Sequence, residues 1–554
     1  MELIESDIAI IGGGAAGLRA ATIAAEKYPR LKIALISKVY PVRSHTVAAE
    51  GGIAGVLREY DSFEKHAEDT IKGGDFLSDK DAVDFFVRRA PEEIIQLEHL
   101  GCPFSRTESG KIAMRAFGAM SEKRTAYAAD KTGFYILHTL FELSLKYDNI
   151  KRYDEFFVTS LLRTENKITG LTAIDMRHGK MCSFAAKAVI LATGGAGRMY
   201  SFTTNSAIKT GDGLALALRA GATLKDMEFV QFHPTALPHT GILMTEAARG
   251  EGGYLLNKKG ERFMKNHHEK AEMAPRDIVT RAILSEIKAG RGFEGPYGQY
   301  VELDIRHLGK KTIEEKLPQV RELAMEFAGI DPVDSPIPVM PACHYFMGGI
   351  SVNLNTETNL SGLYAAGESA CTGIHGANRL GSNSLAECMV FGAKAGLVAV
   401  EFVSKASRPQ NQHSQLENAE SYIEKFLHQR GDETISEVRE SLQKTMSENV
   451  GIERNKASLN TALVDIEKLS ERWSKISLRD KNLVFNTELT SLLELKNMLD
   501  IAACVAKSAL AREESRGAHF RTDFPHHNDA QFLKHFLINQ SLTVTSCNLS
   551  EQNS

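Results

Sequence analysis

Residues 7–11 (Asp-Ile-Ala-Ile-Ile) form a short apolar run that stops at glycines, which predicts a buried strand. Residues 14–27 predict a helix and 32–37 a second strand. A strand–helix–strand opening of this kind predicts a parallel sheet covered by helices on both faces. Ala188 to Leu191 repeats the apolar strand and again ends at glycines, Thr193-Gly194-Gly195. From about 226 to 343 strand and helix signals mix, and charged loops such as 264–273 interrupt them, which reads as a second domain inserted into the first. The first domain returns at Gly362-Leu363-Tyr364-Ala365-Ala366-Gly367. Residues 405–416 read as a linker. After it, 416–475 and 487–513 carry helical periodicity with many charges, and the polar last dozen residues are expected to lack fixed structure.

Composition narrows the class. The chain has 554 residues, enough for several domains, with 43% hydrophobic and 25% charged positions, as in ordinary globular proteins. A net charge of −4 lacks the basic excess of a nucleic-acid binder. The seven cysteines have no spacing that suits zinc, an iron–sulfur cluster or a redox pair, and an odd, unpatterned count points to a reducing compartment. Met1-Glu2-Leu3-Ile4-Glu5 has no basic region, so no secretory signal is expected. The most apolar long stretch, Ser384 to Val403, carries Glu387 and Lys394, which argues against a membrane span.

Gly12, Gly14 and Gly17 form G-x-G-x-x-G between the first strand and helix. The first glycine permits the tight turn, the second lets backbone approach a pyrophosphate, and the third lets helix and strand pack closely. The helix N-terminus then faces the phosphates with free N–H groups. The acidic residue that usually closes the second strand on a ribose is missing; Ser37 and Lys38 stand there, and either could hydrogen-bond a ribose. No second unit of this type occurs, so one dinucleotide is expected. Three further glycine segments, Thr193–Gly197, Thr210-Gly211-Asp212-Gly213 and Ala366-Gly367-Glu368, suit an extended FAD better than NAD.

The stretch Arg43-Ser44-His45-Thr46-Val47-Ala48-Ala49-Glu50-Gly51-Gly52 resembles the flavoprotein subunits of succinate dehydrogenase and fumarate reductase. The likeness recurs at Ala129–Gly133, Glu228–Thr235, Arg249–Gly253, His344–Gly349, His375–Leu385 and Arg512–Asp523, and covers about 5–525. It implies an α/β fold: a Rossmann-like FAD-binding domain (1–225 and 344–404), an inserted α+β capping domain (226–343), a C-terminal helical domain (416–525) and a short tail (526–554). It also implies that His45 carries FAD covalently, the alternative being a histidine that packs near the flavin. Cofactor contacts are expected from Gly12, Gly14, Gly17, Ser37, Lys38, Ser44, Thr46, Gly51, Gly52, Asp212, Glu368, Ser384 and Leu385.

The resemblance places His233, Thr245, His344 and Arg379 on a substrate's carboxylates, with Phe117 beside them. These are suitable types: histidine and threonine donate hydrogen bonds, and arginine grips a carboxylate bidentately. It assigns the proton donor to Arg276 in Pro275-Arg276-Asp277, with Glu246 and Arg249, at i and i+3, as its relay. The isolated His239, His267 and His268 and the pair Glu261-Arg262 read as structural or solvated.

Succinate and fumarate are the implied substrates. Without cluster cysteines the chain needs an outside electron partner, and the resemblance implies an iron–sulfur subunit and a membrane quinone-binding anchor, with this chain peripheral on the cytoplasmic face. A soluble L-aspartate oxidase-like enzyme, a fumarate reductase with another donor, and a flavin-loaded electron-transfer or assembly module without its own substrate are the alternatives, and the direction of the reaction stays open. Three places depart from the family pattern: Ala119-Met120, where many relatives have a second glycine after Phe117-Gly118; His527-Asn528; and the short tail after about 540.

Overall fold

The computed structural model describes residues 1–407 and 413–549. Its centre is a five-stranded parallel sheet in the order Leu363–Ala365, Ala188–Leu191, Ile8–Ile11, Ile33–Ser37, Ile150–Asp154. The three central strands are buried at every position, and apolar at all but Ser37, because both faces are covered. Ile8 and Ile10 pack with the helices Ala15–Lys27 and Asn383–Lys405, whereas Ala9 and Ile11 pack toward the strand Phe156–Thr164 and its neighbours. That second layer is a four-stranded sheet in the order Glu2–Glu5, Lys180–Ala185, Lys167–Asp175, Phe156–Thr164. The carboxyl ends of the central strands run into Gly12, Ser37, Ala192 and Ala366 and open on one side, where ligands of such sheets bind.

The intervening region has a separate antiparallel sheet, in the order Val230–Ala236, Ile337–Phe346, Gly298–Asp304, Tyr254–Leu256, and its own apolar core. The helix Arg276–Lys288 packs on it through Val279, Ala282 and Ile283. Residue 344 lies inside the strand Ile337–Phe346, so His344 belongs to the same sheet as His233.

Four helices follow, His413–His428, Ile435–Asn449, Lys456–Trp473 and Thr487–Ala511. They share one core with the strands around residues 156–174 and the helix Asp212–Ala220. Helix reaches into the expected linker at both of its ends, at Lys405 and from His413 on, and residues 408–412 of it lie outside the described residues.

The end of the chain departs from expectation. Val544–Cys547 is a strand rather than unstructured chain, and it pairs with His535–Ile538. This hairpin extends a sheet with Leu224–Lys225, Gly349–Ser351 and Ala370–Cys371. His535, fully buried, supplies the anchor that polarity alone hid: its ring lies between Asp226 (2.5 Å) and Asp79 (3.1 Å). Residues 550–554 lie outside the described residues. Among the described residues no helix is long and apolar enough to cross a membrane, and no cluster of three side chains could hold a metal ion.

Candidate active site and flavin cavity

One cavity runs from the glycine turn after the first strand to the junction with the inserted sheet. It is lined by residues of the central sheet's loops and of the inserted sheet alike. Every sequence-assigned site residue lines it except Gly17 and Arg249, each of which supports a residue that does.

At the glycine turn, Gly12 has φ 118°, and a Cβ there would lie 2.1 Å from the Ala192 carbonyl oxygen. A Cβ on Gly17 would lie 1.9 Å from the Gly12 carbonyl oxygen, so helix and turn touch only because both residues are glycine. Gly14 faces the cavity, and next to it the Ala15 N–H donates to the Thr46 hydroxyl (3.2 Å). Ser44 is held by its hydroxyl donating to the Pro41 carbonyl (2.6 Å). A Cβ on Gly51 would lie 2.5 Å from the Phe117 ring, and one on Gly52, where φ is 137°, 2.4 Å from the Thr125 methyl. Ser384 and Leu385 open the helix Asn383–Lys405 at the cavity wall.

Lys38 lines the cavity and is also held by three neighbours. Its ammonium donates to Thr210 (2.9 Å), Asp212 (2.6 Å) and Glu494 (2.7 Å). Its three donors meet three partners. Asp212 is correspondingly tied to Lys38, Thr210 and Asn497. Ser37 remains at the strand end, buried and on the cavity.

His45 sits in a short helical turn, His45–Ala48, and its Nδ1 accepts from the Ser206 N–H (3.4 Å). Burial and the Lys209 charge push its pKa down to about 3, so the imidazole is neutral. These orphaned and glycine-cleared surfaces fit FAD: a phosphate turn, a neutral histidine and an acidic Glu368 on the far wall.

Where the cavity meets the inserted sheet, cationic groups gather around one buried carboxylate. Arg276 is the first residue of its helix, directly after Pro275, so its side chain leaves the helix start toward the cavity. Its Nε donates to Glu246 Oε2 (2.7 Å) and its Nη1 to Gln231 Oε1 (3.0 Å). Glu246 Oε1 accepts from the Gly118 N–H (2.8 Å), and Arg249 Nη2 stands 3.8 Å from it. Burial raises the Glu246 carboxyl, but the Arg276 and Arg249 charges win and hold it down at about 2. Thr245 caps the short helix Glu246–Gly250.

His233 and His344 stand on adjacent strands with ring centres 4.9 Å apart. His233 Nδ1 lies against both the Thr235 N–H (3.2 Å) and the Thr235 carbonyl (3.3 Å), and its buried Nε2 has no protein partner. His344 Nδ1 bonds the Thr204 hydroxyl (2.8 Å). Burial, then neighbouring positive groups, drive both histidines well below the usual pKa, so both are neutral. Arg379 lies over the Tyr345 ring (4.3 Å), its Nε also unpartnered, and burial followed by Arg276 brings it down to about 9. Three arginines against one carboxylate make a pocket for an anion with more than one acceptor end.

Sequence reasoning passed over Gln231, which orients Arg276 and also donates to Asn378 Oδ1 and the Arg379 carbonyl (2.9 and 2.8 Å). It passed over the Tyr345 platform as well, and Glu50, a cavity-lining carboxyl that burial and Asp130 push well above its usual pKa. All three lie inside motifs that were legible; only their contacts were not. Arg262 is a further correction: it pairs with buried Glu272 (2.5 Å) and lies over Tyr254, not with Glu261. Ala119 holds φ 65°, the left-handed conformation that a second glycine would take without strain.

Comparison with known proteins accounts for this architecture. A family model described as an FAD binding domain matches residues 7–385, and one described as the fumarate reductase flavoprotein C-terminus matches 439–553. The fumarate reductase flavoprotein subunit of Mycobacterium tuberculosis is 50% identical over 553 residues, covering 97% of this chain and 95% of the relative. The succinate dehydrogenase flavoprotein subunit of Rickettsia bellii is 43% identical over 96% of this chain and 92% of the relative. A single-residue variant of the E. coli quinol fumarate reductase superposes with a TM-score of 0.97 at 45% identity, covering 99% of this chain and 97% of that one. The chain therefore belongs to the family of FAD-dependent fumarate reductase and succinate dehydrogenase flavoprotein subunits.

Proposed function

We propose that this chain interconverts fumarate and succinate as the flavoprotein subunit of a quinone-linked complex, with FAD attached covalently through His45. The observation that carries the reading is the line Arg249–Glu246–Arg276, which ends beside the unpartnered nitrogens of His233 and Arg379. FAD, when bound, supplies or takes up two electrons as a hydride. The chain's own residues do the rest. His233 through its Nε2, Thr245, His344 and Arg379 hold the two carboxylates and keep water from them. Their donors draw electron density out of the double bond toward the carboxylates, which favours hydride addition at the carbon facing the flavin. Arg276 delivers a proton to the other carbon. Glu246, protonated by Arg249, returns one to it, and Arg249, oriented by its hydrogen bond to the Glu272 carbonyl (2.6 Å), regains its own from solvent. An iron–sulfur subunit and a membrane quinone-binding anchor exchange the electrons and hold the chain at the cytoplasmic face; the names of the solved quinol fumarate reductase relatives support this.

The test uses the purified protein. Acid precipitation leaves flavin fluorescence in the pellet if His45 is the tether, and flavin released wholly to the supernatant refutes the link. With a reduced dye as donor, Arg276→Ala abolishes fumarate reduction while FAD stays bound. Retained turnover in that variant sinks the proton-donor role.

A further inference from the structure

Lys209 takes no part in the chemistry above, yet it stands in the flavin cavity. Its side chain is 6% exposed, and its ammonium contacts the carboxylate of Glu368, itself 8% exposed. Glu368 is fixed from behind, because its Oε1 accepts from the Phe346 N–H (3.2 Å). The fold clears room for this pair. A Cβ on Gly194 would lie 3.1 Å from Lys209 Cε, and one on Gly195 would lie 2.5 Å from Glu368 Oε1. The same segment reaches the tether histidine, since Ser206 N–H donates to His45. Lys38 forms the contrast: that ammonium spends its three donors on three partners, whereas the hydrogen bond of Lys209 goes to Glu368. An ammonium has three N–H groups, so Lys209 keeps donors for the cavity, and since burial pushes its pKa down to about 7 it carries its full charge only below neutral pH.

We propose that Lys209 sets the reduction potential of the bound flavin: its buried ammonium, held on the cavity wall by Glu368, favours the electron-rich reduced cofactor. The physical basis is that a cation in a water-poor wall acts far more strongly on an added negative charge than one in water. Glu368 opposes it, so the two side chains bias the flavin in opposite directions. The inference rests on the FAD reading above.

The experiment is anaerobic dye equilibration of the flavin in the intact holoprotein at pH 6, where Lys209 is charged, after absorbance has shown that flavin is present. Lys209→Gln keeps a donor to Glu368 without the charge. It shifts the two-electron equilibrium at least tenfold toward oxidised flavin, about 30 mV. Lys209→Arg stays within threefold of the parent, and Glu368→Gln shifts the equilibrium toward reduced flavin. A flavin-loaded Lys209→Gln with an unchanged midpoint overturns the proposal. Loss of flavin from Lys209→Gln but not from Lys209→Arg overturns it as well, by assigning the lysine to cofactor retention. A parent protein without flavin sinks the cofactor reading itself, a separate and distinguishable failure.

Discussion

Two groups of buried arginines in this chain follow opposite rules. Behind the helical region, Arg512 donates to Glu228, Glu514 and the carbonyls of Phe532 and Lys534. Arg516 donates to Glu514, Asp529 and the Asp75 carbonyl, and Arg521 to Asp523 and the carbonyls of Ala509, Leu510 and Arg512. Every guanidinium nitrogen of these three finds an acceptor. In the cleft, Arg249, Arg276 and Arg379 share the single carboxylate Glu246, and Arg249 Nε and Nη2, Arg379 Nε and His233 Nε2 have no protein acceptor. Each unpaired buried donor costs folding free energy of about 1–3 kcal/mol. In these two groups the paired arginines hold the fold, whereas the cleft keeps unpaired donors open to an incoming carboxylate.

The comparison breaks if the two groups respond alike to removal of one member. Arg379→Met is expected to lower fumarate reduction by about 10³-fold, the scale seen when a donor aimed at developing charge is removed. Its melting temperature stays level or rises, because burial and Arg276 already disfavour the Arg379 charge. Dye-coupled kinetics and thermal unfolding on one preparation decide it; a large loss of stability would place Arg379 among the structural arginines.

Arg512→Met is the reverse case. It leaves Glu228 and Glu514 buried with one cation fewer and frees the carbonyls that start the C-terminal hairpin. A loss of about 3–5 kcal/mol is expected from a broken buried pair, read by chemical unfolding. The flavin signal and the KM for fumarate of the folded fraction stay unchanged. An altered KM without destabilisation would mean that this cluster serves the site.

The two groups also differ in how far the sequence revealed them. Gly12, Gly14 and Gly17 and the apolar runs around them carried the central sheet, because period and turn chemistry are local. His233, Arg276, His344 and Arg379 were legible through motifs, since their types suit a dicarboxylate. The ion pair of Lys38 was hidden, because its partner Glu494 is 456 positions away and no local pattern announces it. The tail misled for the same reason. Its polarity suggested loose chain, while Asp79 and Asp226, distant in sequence, wait for His535 in the core.

That histidine gives the smallest and most specific test of the paired rule. Burial alone would lower the His535 pKa, but the Asp226 carboxylate outweighs it and, with Lys225 opposing and Asp79 assisting, the pKa ends above the ordinary 6.5. Asp226 and Asp79 are in turn held below the ordinary 3.8, with Arg512 also facing Asp226 and Cys371 beside it. A base whose folded pKa is raised stabilises fully below its unfolded pKa and loses that stabilisation as pH rises through the folded value. The two carboxylates act conversely and lose theirs only as pH falls below about 4. The hairpin anchor is thus strongest between about 4 and 6.5 and weakens toward alkaline pH. His535→Gln is expected to cost about 2 kcal/mol at pH 6, the scale of a charged hydrogen bond, and less at pH 9. Hydrogen exchange at Phe536 and Ile538 against pH reads the anchor directly. Protection that falls equally steeply with pH in parent and variant would show that the hairpin is held by its strand pairing and not by the buried charge.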